Sequence, residues 1–317
     1  MASNIKPTLF SVVIFLSFNT LSCNKDDIIE SLDPDLSTGN EYVDKVFEWT
    51  PAPGQFINEF GSASIQGEIL TPQQAADWSL QKISNHQSVS LGSFGGYIIA
   101  GFNHNIYNTG EYEIGVLGNA FIDSNGNSNE PGIVYVMKDE NGNGLPDDQW
   151  FELRGSDTFS PGTIRNYEVT YFRPDGPGQP VKWIDNFGNT GQVEYMEAFH
   201  KQSSYYPLWI EDEKYTLSGT CLEAKSKENP ETGKWENPPF EWGYADNIGE
   251  DNIAFAGFSN CNRFRISDAI DTDGDSVELD YINFVKIQTG VSAQAGWLGE
   301  VSTEILGIVD LTTYSSD

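Results

Sequence analysis

Basic residues, histidines and cysteines are all scarce in this sequence. Its 317 residues include 17 lysines and arginines against 47 aspartates and glutamates, which gives a formal net charge of -30. A chain with this charge repels the phosphates of nucleic acids and anionic membrane surfaces, and it attracts divalent cations. Nucleic acids are therefore excluded as partners.

Catalytic signatures are absent as well. The sequence has no G-x-S-x-G, no H-E-x-x-H and no P-loop, and its three histidines, His86, His104 and His200, are isolated. A glycosidase needs two carboxylates across a cleft, but 47 acidic residues make such a pair unavoidable, so their abundance is uninformative. Glu194 and Glu197 are the only pair singled out here. We predict that the protein is not an enzyme and keep an extracellular hydrolase as an alternative.

The N-terminus is typical of an exported protein. Lys6 precedes the apolar run Leu9–Phe18, which is too short to span a bilayer and ends just before Ser22-Cys23. Cys23 resembles the lipidated residue of a bacterial lipoprotein signal, and residues 24–27 (NKDD) resemble the export signal of Bacteroidota surface lipoproteins. The prediction is an outer-membrane lipoprotein on the cell surface; an ordinary cleaved signal or a periplasm-facing lipoprotein is the alternative. The predicted segments are a signal peptide at 1–22, an acidic tether at 23–42 and a single domain at 43–317.

Only Cys221 and Cys261 remain beyond Cys23. In an oxidising compartment they either pair or stay as two buried thiols, and the sequence leaves both possibilities open.

The hydrophobic pattern predicts an all-β protein. Thr71 as N-cap, Pro72 at the first position and apolar residues at helical spacing predict one short helix. The rest is short alternating runs separated by Gly- and Asn-rich turns, including one hairpin at 133–153 and a second, acidic-tipped hairpin across 264–290. We predict an antiparallel, jelly-roll-like β-sandwich with one short helix and long loops.

The loop of the first hairpin has the composition of a calcium site. Hard cations take oxygen ligands, and D-x-N-x-N-G-x-x-D offers them at alternate positions. Trp150 stands where an EF-hand carries its bidentate Glu, so the loop resembles those of dockerin and thrombospondin type-3 repeats more closely. A solvated hairpin tip without an ion is the alternative. The predicted calcium ligands are Asp139, Asn141, Asn143, the Leu145 carbonyl and Asp147.

Aromatic residues in a Pro- and Asn-rich stretch form the predicted ligand site. Trp235, Trp242 and Tyr244 offer flat apolar faces with polar edges, which suit a sugar ring or a planar macrocycle. The alternative is that these rings cover one end of the sandwich.

Four stretches together resemble an uncharacterised family of Bacteroidota cell-surface lipoproteins: LGSFGGYIIAGFNHNI, GNAFIDSNGNSNEPGIVYVM, DENGNGLPDDQWFEL and INFVKIQTGVSAQAGWLGEVSTE. The resemblance covers residues 43–310 and implies a calcium-bearing, galactose-binding-like sandwich. It also implies a role beside an outer-membrane transporter that takes up glycans or, in some cases, corrinoids. We therefore predict capture of an extracellular glycan or corrinoid; a structural or adhesive surface module without a small ligand is the alternative.

Overall fold

The computed structural model describes residues 41–58, 69–123, 126–198, 200 and 202–313. The predicted signal peptide, Cys23 and nearly all of the predicted tether lie outside these residues. The described residues form helix α1, Pro72–Ser84, and twenty strands. The first ten strands are β1 Lys45–Thr50, β2 Val89–Ser90, β3 Tyr97–Tyr107, β4 Ile114–Leu117, β5 Phe121–Asp123, β6 Gly126–Ser128, β7 Gly132–Met137, β8 Phe151–Leu153, β9 Ile164–Phe172 and β10 Val181–Asp185. The others are β11 Thr190–Val193, β12 Lys214–Cys221, β13 Lys227–Glu228, β14 Trp235–Glu236, β15 Asn252–Phe255, β16 Phe258–Phe264, β17 Ala269–Ile270, β18 Tyr281–Thr289, β19 Glu304–Ile305 and β20 Gly307–Asp310.

Helix α1 begins where the sequence predicts. The Thr71 side chain accepts a hydrogen bond from the Gln74 backbone N–H at 3.2 Å, and the Gln74 side chain accepts one from the Leu70 N–H at 3.0 Å. The first bond pairs an N–H group that the first turn cannot pair internally, and the second pairs the N–H of the residue before the N-cap. Among the described residues, no helix is long and apolar enough to cross a membrane.

The strands form an antiparallel sandwich, which confirms the predicted fold class. One sheet has the order β1-β3-β18-β7-β8-β17 and a second has the order β15-β16-β4-β20. Side chains from both sheets, among them Ile98 and Val285 of the first and Val116 and Ile308 of the second, share one buried apolar cluster with α1. A third sheet, β11-β10-β9-β12, encloses a separate cluster rich in tyrosine.

Only the first of the two predicted hairpins forms. Strands β7 and β8 pair antiparallel, with Tyr135 opposite Glu152. Strands β17 and β18 are not paired, because β7 and β8 lie between them in the sheet. The turn at 271–275 closes only a small bridge between Ile270 and Ser276. The prediction of a second hairpin over 264–290 is therefore wrong, and each run instead pairs with a strand distant in sequence.

Cys221 and Cys261 do not pair with each other in this structure. Both are buried, free thiols.

The short pair β2-β19 places Glu304 opposite Ser90, and the hydroxyls of Ser90 and Ser302 lie 2.6 Å apart. This contact fixes the segment 300–304 against the loop that follows β2.

Candidate functional site

A pocket of about 280 Å³ lies where five separate stretches of the chain meet. Its rim is apolar and aromatic, and its floor is acidic and polar. We call it the acid-floored pocket. Its lining residues are Gln55, Phe56, Ser128, Glu130, His200, Asn237, Ala295, Trp297, Leu298, Glu300, Ser302 and Glu304.

The rim is held out by a tight turn. The 3₁₀ turn Gly296–Leu298 begins and ends next to left-handed backbone, with φ of +52° at Gly296 and +95° at Gly299. Such values favour glycine because it has no Cβ. The turn leaves Trp297 50% and Leu298 43% exposed. The turn therefore places two partly exposed apolar side chains at the mouth of the pocket.

Glu300 is the most unusual group on the floor. One of its oxygens, Oε1, accepts a hydrogen bond of 2.6 Å from the backbone N–H of Gln55. The other, Oε2, is buried without a hydrogen-bond partner among the described residues. Burial raises the pKa of this carboxyl to about 8. A buried charged oxygen without a partner is costly, which favours the protonated form of this carboxyl.

Two further glutamates line the floor. Burial raises the pKa of Glu304 to about 7, although the Asn119 side-chain amide donates a hydrogen bond to Oε2 and opposes the shift. The pKa of Glu130 lies well above its ordinary value, first because of burial and then because Glu304 and Asp246 are close. Glu130 Oε1 accepts a bond of 3.2 Å from the Ser302 N–H.

Asp246 lies behind these glutamates and is fully buried. Its Oδ1 accepts hydrogen bonds from the backbone N–H groups of Asn119, at 2.9 Å, and Ala120, at 2.8 Å. Its Oδ2 accepts one from the backbone N–H of Glu304 at 3.0 Å. Burial raises its pKa to about 8 despite these bonds. This carboxyl ties the chain at 118–120 to the floor of the pocket.

The floor therefore holds carboxyl groups that change protonation near neutral pH. Among the described residues that line the pocket, none is a lysine or an arginine. Protonation relieves their repulsion, and a protonated carboxyl can donate as well as accept hydrogen bonds. Among the described residues, no group of three or more His, Cys, Asp or Glu side chains is arranged to hold a metal ion. The arrangement suits hydroxyl groups below a stacked apolar ring.

The three aromatic residues predicted from the sequence do not share one cleft. Trp235 is half-buried and packs against Gly296, where an added Cβ would collide with its indole, so it supports the turn of the pocket from behind. Trp242 lines a different cavity. Tyr244 is 1% exposed, and its hydroxyl accepts a hydrogen bond of 2.9 Å from the Asp157 N–H. Its predicted role as a binding face is therefore wrong, because core packing covers the ring.

The predicted calcium loop lies at an exposed tip between β7 and β8. Asp147 accepts hydrogen bonds of 3.0 Å from the side-chain amides of Asn141 and Asn143, which lower its pKa. Asp139 accepts bonds of 2.8 Å from the N–H groups of Gly142 and Gly144. Three of the four predicted side-chain ligands thus converge on one point, with the amide nitrogens turned towards Asp147.

The acidic floor is not among the sites predicted from the sequence. Glu130, Glu300 and Glu304 stand among small, apolar and hydroxyl residues in SNEPG and GWLGEVSTEI, and glutamates buried in such surroundings are rare unless they are paired. The residues around these glutamates were therefore the signal from which their burial could have been predicted. Glu194 and Glu197, the pair considered for catalysis, do not line the pocket.

Comparison with protein-family models gave no match, and a search of curated proteins found no similar chain.

Proposed function

We propose that this protein captures an extracellular polyhydroxylated ligand, a glycan, in the acid-floored pocket. The observation that carries the proposal is the combination of an exposed Trp297 at the rim with the carboxyl groups of Glu130, Glu300 and Glu304 below it. An indole face stacks on the C–H face of a sugar ring, while carboxyl groups bind its hydroxyls. A volume of about 280 Å³ accommodates one or two sugar rings and is small for a corrinoid.

The test is binding of soluble glycans to the wild type and to Trp297→Ala. A panel of polysaccharides and oligosaccharides is screened first, and the best binder is then measured by calorimetry. Removal of the stacked indole should weaken that binder at least about tenfold, which corresponds to ~1.4 kcal/mol. Phe187→Ala is the matched control, since Phe187 is 63% exposed and lies in the turn between β10 and β11, and it should not change the affinity. Equal affinities of the wild type and Trp297→Ala would contradict the proposal.

A glycoside hydrolase is the second candidate, because the same floor brings several carboxyl groups with raised pKa values into a pocket. The two functions separate on turnover. We expect the wild type to release no reducing ends from a glycan that it binds. Release that disappears in Glu300→Gln would instead identify an enzyme.

We also propose that calcium binds the loop between β7 and β8. The convergence of Asn141, Asn143 and Asp147 supports this proposal, and an ion would require the two amides to turn their oxygens inward. Calcium in the millimolar range should raise the melting temperature by several degrees, and magnesium should raise it less because it demands a tighter octahedral shell. Asp147→Ala should remove the difference with little other effect, since Asp147 is exposed. Identical melting in chelator and in calcium would contradict the proposal.

We finally propose that the domain is anchored through lipid at Cys23 and displayed on the outer surface beside an outer-membrane transporter, as the resemblance to Bacteroidota surface lipoproteins implies. A surface-displayed protein is cleaved when protease is added to intact cells, and resistance would contradict this location.

A further inference from the structure

Three of the five arginines in this acidic chain surround one further cavity of about 280 Å³. They are Arg154, Arg263 and Arg265, and the cavity shares no lining residue with the acid-floored pocket. We call it the arginine pocket. Guanidinium groups repel one another, and the acidic side chains that line the same cavity, Glu250, Asp251 and Asp268, offset part of that repulsion.

Tyr112 organises two of these arginines. The Cζ atoms of Arg263 and Arg265 lie 4.2 Å and 4.0 Å from the centre of the Tyr112 ring. The two arginines are two positions apart at the end of β16, a spacing that places side chains on the same face of a strand. Stacking occupies the flat faces of the guanidinium groups and leaves their edge N–H groups available for an anion.

The protein itself satisfies these donors only in part. Arg154 pairs with Asp268 at 3.1 Å, and Arg263 Nε donates to the backbone oxygen of Asp251 at 3.2 Å. The guanidinium of Arg265 has no hydrogen bond or ion pair within the described part of the chain, only the ring contact with Tyr112.

Two more acidic side chains line the arginine pocket, and neither neutralises Arg265. The buried carboxylate of Asp251 accepts a bond of 2.9 Å from the Gly243 N–H, which turns it towards the loop after Trp242. Glu250 is exposed and makes no ion pair within the described residues. Arg263 and Arg265 both line the cavity, and within the described part of the chain neither makes an ion pair with a carboxylate.

An apolar surface completes the pocket. Trp242 is half-buried and lines the same cavity. Planar guanidinium edges bind carboxylate and sulfate oxygens in pairs, and an indole face packs on the C–H face of a sugar ring. We propose that the arginine pocket binds an acidic saccharide, with its carboxylate or sulfate on Arg263 and Arg265 and its ring against Trp242.

The test uses defined monosaccharides and does not depend on the acid-floored pocket. Glucuronate and galactose 6-sulfate are titrated into the wild type by NMR or calorimetry, beside neutral galactose and inorganic sulfate. We expect both acidic sugars to bind at least tenfold more tightly than galactose, and more weakly as the salt concentration rises. Sulfate alone should bind less tightly than galactose 6-sulfate, because it lacks the ring.

Variants locate the binding. Arg265→Gln and Trp242→Ala should each weaken acidic sugars at least tenfold, and Arg265→Lys should fall between the wild type and Arg265→Gln, since lysine keeps the charge and loses the planar fork. Lys214→Gln removes the same charge from an exposed strand position and should change nothing. Melting curves identify any variant that fails to fold. If Arg265→Gln does not fold, the affinity of Arg265→Lys for the acidic sugars tests the role of Arg265.

Several results would overturn the proposal: equal binding of acidic and neutral sugars, no binding of either acidic sugar, unchanged binding in Arg265→Gln, or sulfate that binds as tightly as galactose 6-sulfate. Trp297→Ala keeps acidic-sugar binding if the arginine pocket is responsible. Loss of binding in Trp297→Ala would assign it to the acid-floored pocket instead.

Discussion

The melting temperature should fall as the pH rises from 5 to 8. Three buried acids carry this effect: Asp246 and Glu300, whose pKa values are raised to about 8, and Glu304, whose pKa is raised to about 7. Their ordinary values are 3.8 for the aspartate and 4.5 for the glutamates, which also describe the unfolded chain. Between these limits the folded protein binds more protons than the unfolded chain does, so stability decreases with rising pH.

The size of the decrease follows from proton linkage. One group contributes at most about 1.4 kcal/mol per pH unit between its unfolded and folded pKa values. For a domain of this size, 1 kcal/mol corresponds to about 2–4 °C in the melting temperature. We therefore expect a fall of more than about 5 °C across this range. The window ends near pH 8, at the folded-state pKa values of Asp246 and Glu300, and above that pH the pKa of Lys286, which burial lowers to about 8, acts in the opposite direction.

Two variants test whether the change of melting temperature with pH comes from the acid-floored pocket. Glu300→Gln keeps an acceptor for the Gln55 N–H and removes the ionisation, so its melting temperature should vary less with pH. Glu111→Gln, a change at an exposed acid, should leave the slope as in the wild type. A melting temperature that stays flat or rises between pH 5 and pH 8 would show that these carboxyl groups are ionised and neutralised in the folded protein.

The same chemistry bears on function. If Glu300 and Glu304 bind sugar hydroxyls, their protonation state decides which hydroxyls are donors and which are acceptors. A ligand that binds best to the protonated floor would be held at mildly acidic pH and released as the carboxyl groups ionise. The pH dependence of affinity thus reports on the floor, whereas Trp297→Ala reports on the rim.

The sequence predicted the elements whose signals are local. The N-cap Thr71 with Pro72, and the turn composition between β7 and β8, depend on residues within a few positions of one another, and both predictions agree with the structure. The hairpin over 264–290 did not form because strand order in a sheet depends on partners far away in sequence. Alternating apolar residues define a strand and do not define its neighbours.

The candidate sites were not predicted from the sequence for the same reason. Glu130 and Glu300 are separated by the greater part of the domain, and only the sandwich brings them together. Tyr112, just before β4, and Arg265, just after β16, are also far apart in sequence. Aromatic residues in a Pro-rich stretch are a weak guide, because Tyr244 in that stretch is core while Trp242 is accessible. Lipid anchoring, surface display and calcium stay predictions.

Asp246→Ala, behind the acid-floored pocket, should destabilise the protein more than any single substitution of a residue that lines the pocket. The substitution leaves three backbone N–H groups without their acceptor, those of Asn119, Ala120 and Glu304. Each buried unpaired donor costs about 1–3 kcal/mol, so the free energy of unfolding should fall by about 3 kcal/mol or more at pH 6, where the carboxyl is largely protonated and little charge repulsion is relieved by its loss.

Asp246→Asn is the matched variant for that measurement. Its amide oxygen can still accept from Asn119 and Ala120, while its amide nitrogen meets the Glu304 N–H as a second donor, so one of the three N–H groups stays unpaired. Urea unfolding at pH 6 should therefore rank the wild type above Asp246→Asn and Asp246→Ala last. A loss below about 1 kcal/mol in Asp246→Ala would mean that water replaces the carboxyl in a site that is more open than its full burial indicates. Asp246→Ala removes the acceptor that holds the backbone of Glu304. At a low temperature where this variant is still folded, it should therefore bind glycan more weakly than Asp246→Asn does.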